Sequence, residues 1–81
     1  MNIYVGNLSY GIKDADLVNL FETYGTVTSA KVIKDRETGR SKGFGFVEFE
    51  NDDEAKAAIE QLTGSEFSGR PLVVKEALPK N

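Results

Sequence analysis

The chain contains no cysteine and no histidine. The first absence removes disulfides, thiol nucleophiles and the thiolate ligands of zinc. The second removes the commonest general base and the imidazole metal ligand. No catalytic centre of the usual kinds, no metal and no other cofactor is expected. Long apolar runs are missing as well: none approaches the ~18 residues of a membrane span. Met1 leads directly into a predicted strand rather than into a basic-then-apolar leader. A cytoplasmic chain without membrane attachment is the expectation, under which the glycosylation sequon Asn7-Leu8-Ser9 is idle.

Surplus positive charge is scarce too. The net charge is −3 and the isoelectric point lies near 4.9, whereas domains that bind nucleic acid are expected to be basic. Distribution qualifies this total. Between Lys31 and Lys42 the chain carries Lys31, Lys34, Arg36, Arg40 and Lys42 against Asp35 and Glu37, a net of +3, which leaves −6 for the remainder. One basic segment therefore sits in an otherwise acidic chain. Its 81 residues suit one domain with one core, set at residues 1–78 with a short tail at 79–81.

What is present orders itself clearly. Asn2 to Leu8 reads as a strand with Ile3 and Val5 on one side and Tyr4 on the other. Leu17, Leu20, Phe21 and Tyr24 recur at helical spacing over Asp14 to Tyr24, with Asp14 and Asp16 at the positive end of the helix dipole and Gly25 as terminator. Val27 to Lys34 is a second strand, residues 35–41 a polar loop, and Lys42 to Phe49 a third strand. Asn51 caps a second helix, with Glu54 as its reciprocal partner. Ala55, Ala58, Ile59 and Leu62 form its inner stripe, and Gly64 ends it. Ser68 to Pro71 turns into a last strand, Leu72 to Ala77. The order β-α-β-β-α-β predicts an α+β fold of the split βαβ, ferredoxin-like kind, a four-stranded antiparallel sheet with two helices on one face.

The octapeptide Lys42-Gly43-Phe44-Gly45-Phe46-Val47-Glu48-Phe49 is the most informative stretch. Strand alternation sends Val47 and Phe49 to a core, and Phe44 and Phe46 to the opposite face beside Lys42 and Glu48. Glycines at 43 and 45 weaken a strand and mark a close approach by something else. Four strands at ~4.8 Å spacing make a sheet roughly 19 Å wide. Two helices of about 10 Å diameter cover one face of it, and right-handed crossovers place both on the same side. Tyr4, Phe44 and Phe46 are left on an open face, and an exposed apolar patch of that kind implies binding. Flat rings on a sheet are how proteins stack single-stranded bases.

These residues resemble the RNA-recognition motif. Its octamer signature, Lys/Arg-Gly-Phe/Tyr-Gly/Ala-Phe-Val-x-Phe/Tyr, is matched at every specified position by Lys42 to Phe49. Ile3-Tyr4-Val5-Gly6-Asn7-Leu8 is similar to the companion hexamer, and the resemblance runs from Asn2 to about Ala77. A short single-module protein of bacterial or organellar type is the nearest kind. The resemblance implies a non-enzymatic module in which Tyr4, Phe44 and Phe46 stack bases of a single-stranded RNA and Lys42 meets phosphate. Lys31 and Ile33 on the second strand, and Val73, Lys75 and Ala77 on the last, would flank them on the same face. Asn7 would contact a base or fix its loop. Two departures stand out: Leu78 where relatives often carry an arginine, and Glu48, a negative charge on the binding face.

Other functions fit less well. Gly39-Arg40-Ser41-Lys42-Gly43 lacks the spacing of a phosphate-binding loop, and no helix follows it. A hydrolase on the same scaffold, resembling acylphosphatases, needs an arginine in the loop after the first strand, and residues 6–13 contain none. A protein-interaction module of this fold usually loses the face aromatics, which are all present here. Single-stranded DNA stays open as a partner, because stacking does not discriminate the sugar. Nothing specifies an oligomer, so a monomer is expected.

Overall fold

In a computed structural model, which describes residues 1–67 and 69–77, the elements follow in the order β1 (Asn2–Gly6), α1 (Asp14–Phe21), β2 (Val27–Lys34), β3 (Ser41–Phe49), α2 (Asp52–Leu62), β4 (Glu66–Phe67), β5 (Arg70–Pro71) and β6 (Val73–Glu76). Four of the strands form one antiparallel sheet in the spatial order β2-β3-β1-β6, so the two strands bearing the octapeptide and the hexamer lie at its centre. This is the expected split βαβ, ferredoxin-like arrangement. Leu78 and the tail 79–81 lie outside the described residues, as does Ser68 in the predicted turn.

Alternation along the strands divides the sheet into a dry face and an open one. Ile3 and Val5 of β1, Val32 of β2, Val47 and Phe49 of β3 and Val74 of β6 are buried. Onto them pack Leu17 and Phe21 of α1 and Ala55, Ala58 and Leu62 of α2, with α1 over β2 and α2 over β6. The Phe21 and Phe49 rings meet edge to face at 6.0 Å, locking α1 to β3. Both helices therefore cover the same face, as handedness requires.

Several boundaries depart from expectation for local reasons. Strand β1 stops at Gly6 rather than Leu8, because Asn7 adopts a left-handed conformation at φ 59°. Helix α1 ends at Phe21 rather than Tyr24, its continuation tightening into a turn with the Tyr24 amide donating to the Phe21 carbonyl at 2.9 Å. Gly25 is not a left-handed terminator. A methyl group there would sit 2.6 Å from the Glu54 carboxyl carbon, so the glycine makes room for that side chain. Glu54 consequently does not complete a reciprocal cap: Oδ1 of Asn51 accepts from the Asp53 and Glu54 amides, while Oε1 of Glu54 accepts from the Thr26 amide at 3.4 Å. Gly64 does end α2 as expected, with φ 80°. The last sheet strand is shorter than predicted, and the residues before it form the small hairpin β4–β5, which sequence reading treated as a plain turn.

The close approach that the glycines of the octapeptide mark has a definite partner at Gly45. At Gly45 the close neighbours are protein: an added methyl would lie 2.5 Å from the Lys31 carbonyl oxygen and 3.0 Å from the Val32 Cα. Gly43 has φ 85° where the register of β3 against β2 shifts between Val32 and Lys34. Such a bulge re-aims the chain. On the edge strand β2, the Val32 amide donates to Asp14 Oδ1 at 2.7 Å, which ties the strand to the start of α1.

Candidate nucleic-acid interface

Register places the three face aromatics side by side. Tyr4 on β1 lies opposite Phe46 on β3, and Phe44 is two residues from Phe46 along the same strand. The Tyr4 and Phe44 rings stack with centroids 5.8 Å apart and planes 27° apart. Phe46 meets both edge-on, at 5.9 Å from Tyr4 and 6.1 Å from Phe44. Mutual contact half-buries Tyr4 and Phe44, while Phe46 stands 38% exposed. The result is one continuous aromatic surface on the face that the helices leave open.

Gly6 lets this surface form. A methyl at Gly6 would lie 2.7 Å from Cε1 and the hydroxyl oxygen of Tyr4, so the ring leans back over a position with no side chain. Across the sheet from Tyr4 is Lys75, whose Nζ lies 5.2 Å from the ring centroid. Lys31 sits across from Phe46 on β2 and is exposed. Lys42 is exposed at the end of the face, beside a shallow recess also lined by Tyr4, Asn7, Tyr10, Phe44 and Arg70. Cations thus bracket the rings on three sides.

The remaining predicted positions fall into place unequally. Val73, 45% exposed, pairs with Gly6 on the open face. Ile33 is half-buried two residues beyond Lys31, and Ala77 lies just past β6, its amide donating to the Asn2 carbonyl at 2.9 Å. Asn7 has a definite structural task, its Nδ2 donating to the Pro71 carbonyl at 2.7 Å and tying β1 to β5. Glu48 is exposed, and its Oε1 accepts from the Thr28 hydroxyl at 3.0 Å. Sequence reading overlooked Tyr10 and Arg70. Tyr10 is 69% exposed and faces the Arg70 guanidinium, whose Cζ is 5.8 Å from the ring centroid. Both stand outside the main sheet, where strand alternation gives no phase to read.

Among the described residues no cluster of acidic, histidine or cysteine side chains is arranged to hold a metal, and no helix is long and apolar enough to cross a membrane. The arrangement can offer aromatic faces and point charges.

Comparison with known proteins agrees with this geometry. Residues 3–73 match the sequence profile of the RNA recognition motif, and the chain belongs to that family of non-enzymatic binding modules. RbpA of Synechocystis sp., named as an RNA-binding protein, is 55% identical over 80 residues, which is 99% of this chain and 79% of RbpA. The crystal structure of RNA-binding protein PG1 superposes with a TM-score of 0.97 at 60% identity, covering 100% of this chain and 98% of PG1. The Rna15 RRM solved with bound RNA (GU) superposes with a TM-score of 0.86 at 28% identity, covering 99% of this chain and 85% of that one.

Proposed function

We propose that this protein binds single-stranded RNA on the open sheet face, filling it with two to four nucleotides. Tyr4, Phe44 and Phe46 stack the bases, Lys42 meets phosphate, and Lys31, Ile33, Val73, Lys75 and Ala77 border the track. The observation that carries this reading is the trio of touching rings on a face neither helix covers. Membership of the RNA recognition motif family and the likeness to a neighbour solved with RNA support it. A base that stacks on one of these rings must leave its neighbours in the strand, which a single strand allows and a duplex does not. The protein acts as a monomer in the cytoplasm, and single-stranded DNA is a second ligand for the same face, because stacking does not discriminate the sugar.

Affinity should be modest. Stacking of ~1–3 kcal/mol per base over about three bases must offset the ordering of a flexible strand. Dissociation constants in roughly the micromolar range or weaker are expected, about −8 kcal/mol at most in strength. With few lysines at the face, the slope of log K against log salt should be about −2 to −3 for a short RNA, at ~0.7 per phosphate contact. Isothermal titration of U-rich, A-rich and mixed five-nucleotide RNAs at several salt concentrations tests both. Nanomolar binding, or a slope steeper than about −5, would refute a small face with few charges.

A further inference from the structure

We infer that the RNA track continues off the sheet, with Tyr10 stacking a further base and the groove beyond it receiving the phosphates that follow. This rests on the sheet-face reading and extends it. Tyr10 is the most exposed large hydrophobic residue among those described, at 69%, in the loop between β1 and α1. Its placement is built rather than incidental. The Leu8 amide donates to the Gly43 carbonyl at 2.8 Å, drawing this loop onto the start of β3. The Tyr10 ring then lies over Gly43, with Cε1 3.9 Å from where a side chain there would begin. The Asn7–Pro71 hydrogen bond brings up β5, and with it Arg70 against the ring.

Tyr10 also joins two concavities. One is the recess of about 290 Å³ that it shares with Tyr4 and Phe44, so its ring continues the aromatic platform. The other, of about 940 Å³, runs between the β1–α1 loop and the β2–β3 loop. Its walls carry Lys13, Lys34, Arg40 and Lys42 against one acid, Asp35, whose Oδ1 accepts from the Glu37 amide at 2.8 Å within its own loop. In a chain of net charge −3, four cations around one groove complement a polyanion. Lys42 lines both concavities, so a strand passing it moves from aromatic platform to basic groove without a gap. Arg70 steadies the ring through its cation–π contact and is in reach of the phosphate of the nucleotide stacked there.

Length dependence of binding tests this, with oligouridylates and oligoadenylates of four and eight nucleotides as probes. Wild type should gain about 10- to 100-fold from four to eight, the worth of one added stack plus phosphate contacts. Tyr10→Ala should leave four-nucleotide affinity within about twofold of wild type and reduce the gain to the few-fold that extra binding registers provide; Tyr10→Phe should keep it. The double variant Lys34→Ala/Arg40→Ala should lower the salt slope for eight nucleotides by about 1.4 and leave the slope for four unchanged. Tyr10 is exposed enough that its truncation should not unfold the chain, which circular dichroism checks. A wild-type gain of only a few-fold, or a full gain in Tyr10→Ala, overturns the extended track. Phe46→Ala separates the two readings: if it leaves four-nucleotide binding intact, the sheet-face reading fails, whatever Tyr10 does.

Discussion

Phe46→Ala should weaken binding of a short single-stranded RNA by about 1–3 kcal/mol and destabilise the fold less than Phe49→Ala, which should cost about 3–5 kcal/mol of stability. The two phenylalanines are three residues apart on β3, and strand phase sends them to opposite faces. Phe46 is 38% exposed, whereas Phe49 is 1% exposed. Phe49 fills the layer between sheet and helices, edge to face with Phe21, so its loss leaves a cavity bounded by rigid neighbours. Phe46 touches only the other two rings of the open face among the ring pairs it forms. Losing those two pairs should cost about 1–3 kcal/mol at ~0.5–1.5 per pair, toward the low end on an exposed face. Titration calorimetry and urea unfolding of both variants, side by side, measure the contrast. If Phe46→Ala unfolds the domain as readily as Phe49→Ala does, the face is not open and its rings are not free to stack bases.

That contrast rests on the feature easiest to read from sequence. Period-two alternation in residues 42–49 separates core from face wherever a strand is regular, which is why Val47 and Phe49 were legible as core and Phe44 and Phe46 as surface. The element order then left one sheet face without a covering layer, a matter of counting layers rather than of detail. What escaped reading depends on neighbours distant in sequence. The early stop of β1 at Asn7 belongs to a hydrogen bond with Pro71, far along the chain. The cap on α2 is incomplete because Glu54 is drawn to Thr26. Tyr10 and Arg70 lie 60 positions apart, and their meeting follows from a hairpin of two-residue strands too short to show a periodicity. Local pattern reports the phase of a strand; it does not report which loop will lean against which.

Gly45 shows the same limit, and its substitution should destabilise the fold strongly. In sequence it belongs to the binding octamer, where a glycine marks a close approach without naming the neighbour. In the fold it points to the buried side of β3, paired with Val5 on β1 and Val32 on β2. A methyl group would meet the Lys31 carbonyl oxygen at 2.5 Å, the Val32 Cα at 3.0 Å and Leu17 Cδ1 at 3.2 Å. Two of these are backbone atoms of the adjoining strand, so relief requires β2 to move away from β3 rather than a side chain to turn. Overpacking of a core usually costs about 1–3 kcal/mol, and with backbone in the way Gly45→Ala should lie at the upper end, near 3. For a domain of this size that corresponds to a fall of roughly 12–24 °C in melting temperature. Gly11→Ala is the matched control: a methyl there has no atom within 4 Å, and the substitution should be neutral or stabilising by about 0.4–1 kcal/mol through the unfolded chain. Thermal melts of the two variants decide the matter. Equal melting temperatures would mean that β2 and β3 are not held as closely as the Gly45 geometry requires. A large difference would assign this glycine of the octamer to strand packing, leaving contact with the nucleic acid to Lys42 and the rings at 44 and 46.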